Sequence, residues 1–335
     1  MDVAAAAEAS ALGRRVGAYF RAQGTRYGLR PARTRVRTVL NWGGFVNRSF
    51  TVTDGVLAYH LKLTDEEGHA AALERWAALR QVLTARYRAP ELVDWIAVPG
   101  TAFRGPLFRR LAGAPPDLER TPALLPDVLA LAGRLHADGE LQADLRRVEA
   151  PAPAGLADAF CETFVDRFRG DLDGVAAARP PFVSPELLAW MREETRRLAE
   201  RVRASPAFAG PAEAPVHGDL HAGNLLVAPS GEWFVLDWDD LGLGDPVLDA
   251  AVLLWPRLRA APDAWRAYPV PGRGAPALAA RMALHLRALL LDEVVDSLAD
   301  WVEAAAVPEH LEAVRPVKRR AHERALGFYR ERYGA

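Results

Sequence analysis

Cysteine and lysine are nearly absent from the chain. Cys161 is the one cysteine in 335 residues, so a disulfide framework and a thiolate metal cluster are both excluded. A lone cysteine of this kind reads as a small, half-buried apolar residue. Lys62 and Lys318 are the only lysines among 42 basic residues; the rest are arginine. A lysine that survives such a bias stands out, because it offers phosphate a compact point charge where arginine offers a planar fork. Charge of one sign is lacking too. The formal net charge is -1, which speaks against bulk electrostatic binding of nucleic acid or anionic membranes. No apolar run approaches the roughly 20 residues of a membrane span. The first residues, "MDVAAAAEASALGRRVGAYFRAQG", open on an acid and are interrupted by arginines, unlike a signal peptide. The expectation is a soluble, cytoplasmic protein.

What is present is apolar material in a two-part pattern. Half the residues are hydrophobic, enough for a sizeable core, and the length suits about two domains. Residues 4–23 read as an Ala-rich helix. "VRTVLNWGG", "FVNRSFTVTDG" and "VLAYHLKLT" read as strands, with Asp54-Gly55 as a two-residue hairpin turn. "EEGHAAALERWAALRQVL" has helical spacing at Leu73, Trp76, Ala77 and Leu83. "ELVDWIAVPG" and "AFRGPLFRRLAG" supply two more strands before the break at Pro115-Pro116. Beyond it the pattern is helical, most clearly at 127–139, 185–204 and 277–305. Only "NLLVA" and "WFVLDW" look like strands there, joined by the turn "PSGE". No fixed-period repeat is visible. The fold class expected is α+β, with a sheet-bearing part over residues 1–112 and a larger helical part over 113–335 containing one hairpin.

The chemistry concentrates in "VHGDLHAGNLLVAPSGEWFVLDWDDLGLGDP", Val216 to Pro246. Asp219 and Asn224 stand five apart, just before one strand, and Asp237 follows the return strand. A short hairpin would bring Asn224 near Asp237. A carboxylate and an amide oxygen are the hard donors Mg²⁺ takes, usually one or two from protein with phosphate and water completing the shell. Asp219 is then left to orient a hydroxyl and accept its proton. These are the recurring parts of phosphoryl transfer from ATP.

"HGDLHAGN" fits the H-x-D-x-x-x-x-N catalytic-loop pattern of kinases. With "LDWDDLGLGDPVLDAA" it resembles the aminoglycoside phosphotransferase and choline-kinase-like family of small-molecule kinases. The resemblance implies a bilobal protein-kinase-like fold, a small antiparallel-sheet N-lobe with one main helix and a larger, mostly helical C-lobe. It implies Asp219 as the catalytic base and Asn224 and Asp237 as Mg²⁺ ligands. His217 and Asp249 would brace the loop. Lys62, on the third strand, would contact the α- and β-phosphates and be held by Glu74 of the following helix. "NWGGFVNRSFTV" lacks G-x-G-x-x-G, and Gly43, Gly44 and Asn47 would form a looser phosphate loop. "FRRLAG" would be the hinge whose backbone reads the base. Asp245 would cap the helix beginning near Val247. The donor would be ATP, with GTP an open alternative, and the acceptor a hydroxyl of a small molecule such as an antibiotic, amino alcohol or sugar.

Rival readings fare less well. "GDLH" echoes metallophosphoesterase signatures, but the remaining histidines after His221 are isolated, so the cage cannot be completed. A protein kinase would carry an activation segment where "GDPVLD" follows at once. A non-catalytic, nucleotide-binding kinase-like protein is the alternative that retains the fold. For single residues the bland readings are a strand-edge lysine at Lys62, an exposed helix acid at Glu74, a loop-packing His221, and solvent-facing or supporting carboxylates at Asp239 and Asp240. Asp292, Asp296, Asp300 and Glu303 share one helix face. A solvated stripe is the common explanation; an acceptor pocket for a cationic substrate is the sharper one.

Overall fold

The computed structural model of the chain describes residues 11–39, 47–148, 152–270, 276–306 and 311–334. Two compact units emerge: Met1–Pro115 with Leu225–Asp239, and Pro116–Asn224 with Asp240–Ala335. The 225–239 segment groups with the sheet unit rather than with the helical part in which the sequence reading leaves it.

The first unit is built on an antiparallel sheet of β1 (Arg35–Val39), β2 (Arg48–Thr53), β3 (Ala58–Leu63), β4 (Leu92–Ala97) and β5 (Arg104–Arg109), in the order β1-β2-β3-β5-β4. Phe50, Val52, Tyr59, Leu61, Leu63 and Leu107 bury together with Val16 and Phe20 of α1 (Ala11–Gln23). The residues between them face the other way. Ser49 pairs with Lys62 and Thr51 with His60, so these four side chains share the second face. This apolar stripe fixes the register. A slip of one residue would turn Lys62 into the core and expose its neighbours Leu61 and Leu63.

The β2–β3 connection differs from the expected two-residue hairpin. Thr53 pairs with Ala58, which leaves four residues in the loop. The reason is Asp54, whose Oδ1 accepts from the amides of Val56 and Leu57, both at 2.9 Å, while Oδ2 holds Arg30 Nε at 2.9 Å. This turn is built on a side chain rather than on backbone dihedrals alone. Helix α2 (Glu67–Tyr87) buries Leu73, Trp76, Leu79, Leu83 and Tyr87, with Trp76 against Phe108 at a centroid distance of 4.4 Å. A hairpin of β7 (Leu225–Val227) and β8 (Trp233–Val235) joins the unit. It is tied there by reciprocal bonds between Ala114 and Val227 and by Arg88, which donates to the Trp233 carbonyl at 3.1 Å.

The second unit is helical: α3 (Leu124–His136), α4 (Gly139–Val148), α5 (Leu156–Phe160), α6 (Arg167–Ala178), α7 (Pro185–Ala204), α8 (Pro246–Ala260), α9 (Pro276–Glu303) and α10 (Leu311–Tyr333). A π-turn, Cys161–Asp166, links α5 to α6 and buries Cys161. Glu194, 1 % exposed, accepts from Arg287 Nη2 at 2.7 Å and from the Tyr329 hydroxyl at 2.8 Å, locking α7, α9 and α10. Two three-residue strands that the sequence does not announce, β6 (Ala214–Val216) and β9 (Gly242–Gly244), pair antiparallel. No helix among the described residues is long and apolar enough to cross a membrane.

Candidate active site

In the second unit, strand β6 delivers the chain into the 217–224 loop, and one carboxylate organises the entry. Asp249, fully buried in α8, accepts from the amides of His217 at 3.0 Å and Gly218 at 2.9 Å and from His136 Nε2 at 2.8 Å. Burial works against its charge, but the His136 hydrogen bond, the nearby histidines and the backbone amide outweigh it and hold the carboxyl below its usual range. Gly218 has φ +87°, and a Cβ there would meet the Asp240 carbonyl at 2.6 Å, so only glycine fits. Asp219 then presents a half-exposed side chain. Its amide donates to His217 Nδ1 at 3.2 Å. The Asn224 amide nitrogen donates to the Asp219 carbonyl at 2.9 Å and to its Oδ2 at 2.8 Å. With its nitrogen committed to Asp219, Asn224 keeps its amide oxygen as a hard donor.

In the first unit, Lys62 is 8 % exposed and lies 2.6 Å from Asp237 Oδ1 and 2.5 Å from Asp239 Oδ2. Burial disfavours the ammonium, yet the two carboxylates prevail and raise its pKa above the usual lysine value. Asp237 has φ +59°, a left-handed conformation uncommon outside glycine, and such strain concentrates at functional positions. Asn47 Nδ2 reaches Asp239 Oδ2 at 3.2 Å, while its own Oδ1 is buried without a partner among the described residues. Arg75 Nη2 of α2 donates to the Asp239 carbonyl at 2.9 Å. Asn224 and Asp237 flank the β7–β8 hairpin in the chain. Oxygen donors of this kind suit Mg²⁺. Among the described residues, no three His, Cys, Asp or Glu side chains gather as a cage.

The expected residues thus fall into two groups. Asp219, Asn224, His217 and Asp249 come together in one, and Lys62, Asp237 and Asn47 in the other. Gly43 and Gly44 lie outside the described residues. One expected pair is not formed. Glu74 is exposed and stands 3.6 Å from Arg104, while Lys62 is held by Asp237 and Asp239. The α2 residue that reaches the 237–239 segment is Arg75, one position on. His217 takes the Asp219 amide on its ring nitrogen. Asp245 caps α8 by accepting from Val247 N at 3.0 Å and also holds Arg281 and His285.

Two neighbours of these residues escape sequence reasoning. His136 meets Asp249 across 113 residues, and no local spacing announces it. His60 shares a strand face with Lys62; burial and the neighbouring ammonium push it down to about 4, so it is neutral at ordinary pH. The "HLK" triplet, a histidine two before the lysine, was the available signal.

The acidic stripe on α9 is only partly solvated, from the buried Asp300 to the open Asp296. Asp300 is 3 % exposed and pairs with Lys318. Asp292 binds Arg167 Nη2 at 2.5 Å, and Asp296 and Asp171 lie 3.5 and 3.9 Å from Arg167. Four carboxylates therefore share two cations. Burial first, with neighbouring carboxylates adding to it, raises the pKa of Asp171, Asp296 and Asp300 above the usual carboxylate range.

The sequence model of the phosphotransferase enzyme family (APH) matches residues 38–285. No curated protein matches the chain. Solved structures share the fold at low identity. The GDP and kanamycin complex of APH(2")-IIia is 14 % identical, with a TM-score of 0.55, covering 87 % of this chain and 93 % of its own. Macrolide 2'-phosphotransferase type I is 17 % identical, with a TM-score of 0.54, covering 92 % and 97 %. A thermostable mutant of aminoglycoside phosphotransferase APH(4)-Ia is 17 % identical, with a TM-score of 0.55, covering 90 % and 95 %.

Proposed function

The chain belongs to the phosphotransferase enzyme family and is a small-molecule kinase of protein-kinase-like fold, and from that premise we propose that it moves the γ-phosphate of ATP to a hydroxyl of a small acceptor. The observation that carries the reading is the Asn224 amide nitrogen on Asp219 Oδ2 at 2.8 Å. It ties the proposed base to a proposed metal ligand within one short loop. Asp219 orients the acceptor hydroxyl and takes its proton as transfer advances. Lys62 exchanges part of its carboxylate pairing for the α- and β-phosphates, and Asn47 stands beside that exchange. Asn224 and Asp237 would hold Mg²⁺, which when bound neutralises phosphate charge. Gly43 and Gly44 would belong to the loop over the phosphates.

The test is nucleotide consumption with Mg²⁺ across a panel of hydroxylated acceptors, with ATP and GTP compared and Asp219→Asn as control. Turnover that vanishes in the variant supports the reading. Asp237→Ala should abolish Mg²⁺-dependent nucleotide binding; binding that survives moves the metal elsewhere.

A cationic acceptor is the finer proposal. Its support is the excess of carboxylate around Arg167 and Lys318, which a bound cation would relieve. Asp296, with a side chain 45 % exposed, is the member open to a ligand; Asp300 is committed to Lys318. Asp296→Asn should raise KM for amine-bearing acceptors and leave neutral ones unaffected. Equal KM values for both classes would remove the idea.

A further inference from the structure

We propose that His221 is a positioning residue for Asp219, its imidazole fixed as the Nε2–H tautomer so that it steadies the carboxylate that takes the acceptor's proton. The proposal rests on the reading of Asp219 as the base.

One hydrogen bond sets the tautomer. The Gly223 amide donates to His221 Nδ1 at 2.9 Å. A ring nitrogen that accepts carries no proton, so the neutral imidazole keeps its hydrogen on Nε2. That nitrogen lies 3.4 Å from Asp219 Oδ2, the same oxygen that Asn224 Nδ2 reaches at 2.8 Å. Asn224 donates to that oxygen, and the His221 ring nitrogen stands within ion-pair distance of it. The histidine contact is long, as contacts of catalytic groups commonly are before substrate closes on them.

The loop is shaped for this ring. A Cβ on Gly223 would lie 2.6 Å from His221 Cε1 and 2.8 Å from Nδ1, so a side chain at 223 would expel the imidazole. His221 N donates to the Asp219 carbonyl and Asn224 N to the His221 carbonyl, both at 3.0 Å. The backbone thus fixes the spacing of all three residues. The ring is 45 % exposed, so core packing does not account for its placement. In the reaction the acceptor O–H breaks and its proton passes to Asp219. The oxygen bonds the γ-phosphorus as the bond to the departing nucleoside diphosphate breaks. In this step His221 contributes orientation alone.

Two replacements separate the two ring nitrogens. His221→Asn puts an oxygen where Nδ1 was and keeps the bond from Gly223, but it has nothing at Nε2. His221→Gln carries an amide N–H to the Nε2 position and gives up the bond from Gly223. Both are compared with wild type and Asp219→Asn for kcat, KM and thermal midpoint. The assay uses Mg·ATP with the first panel acceptor that the wild type turns over or, failing one, water. We expect His221→Asn to lose about tenfold in kcat, the rate equivalent of one modest hydrogen bond, with KM for ATP and the midpoint unmoved. His221→Gln should stay within about threefold of wild type, since it preserves the donor. The reverse order, or equal losses with a lowered midpoint, would make the ring a loop brace and overturn the proposal. Asp219→Asn inactive beside a fully active His221→Asn removes this inference alone. An active Asp219→Asn removes the reading beneath it as well.

Discussion

Asp249 and Asp239 each organise a segment of the proposed site, and they use opposite kinds of partner. Asp249 accepts from two backbone amides and from His136, donors fixed by the chain itself. Nothing in a reaction asks those bonds to yield. Asp239 accepts from a lysine side chain and from Asn47, and it shares that lysine with Asp237. A carboxylate–lysine pair can trade partners when phosphate arrives, because both sides are charged and the lysine stem is flexible. Burial of a carboxylate therefore does not define its role; the identity of the donors does. A third case sharpens the point. Around Asp296 the nearest charges include other carboxylates, and the pKa moves up where that of Asp249 moves down.

Breaking the comparison at the reacting group gives the largest effect. Asp219→Asn should lower kcat by about 10²–10⁴, the usual worth of a general base, with the thermal midpoint unchanged; a loss under about tenfold would remove the base assignment. Next comes the scaffold. Asp249→Ala leaves two amides and His136 without their acceptor, and removing one member of such a buried charged set costs about 3–5 kcal/mol. Urea unfolding at pH 7 measures this, and a loss below about 1 kcal/mol would mean the loop has other support.

The proposed phosphate site should respond in KM instead. Asp239→Asn should raise KM for ATP about tenfold, roughly one charge-assisted hydrogen bond, whereas Glu74→Gln should change it less than about twofold, as befits an exposed pair. The opposite ranking would restore the helix glutamate as the partner of Lys62. The smallest effect belongs to the α9 cluster. Asp171, Asp296 and Asp300 have folded pKa values raised above their unfolded ones. The folded state thus binds these protons more tightly. The associated stability is full below the unfolded carboxylate pKa and fades as pH rises through the raised values. Mild acid should stabilise this cluster, and Asp296→Asn should flatten the dependence and gain a few tenths of a kcal/mol at pH 7. Thermal midpoints from pH 4 to 8 test it; an unchanged slope would show that Asp296 does not titrate there.

Much of this was legible in the sequence because it is local. The alternation in "VLAYHLKLT" put Lys62 on a strand face opposite Leu61 and Leu63. The five-residue spacing of Asp219 and Asn224 lies within a single loop, where the chain itself limits how far apart they can be. Asp245 before Pro246 announced its helix cap. The failures were of another sort. Strands of three residues made from "APV" and "GLG" carry no pattern and exist only because they pair with each other. His136 is one histidine at the end of an apolar helix until α8 brings Asp249 to it. Glu74 and Arg75 are adjacent, and only the packing of α2 on the sheet decides which of them faces the 237–239 segment.

The sequence by itself therefore determined the class of chemistry, since a kinase loop needs particular groups at short, fixed separations that covalent geometry already enforces. The tertiary structure decided who partners whom. It gave Lys62 to Asp237 and Asp239, Lys318 to Asp300, and His136 to Asp249. Charge pairs form over a few ångströms of space, and residues 18 to 177 positions apart reach that distance only once the chain has packed.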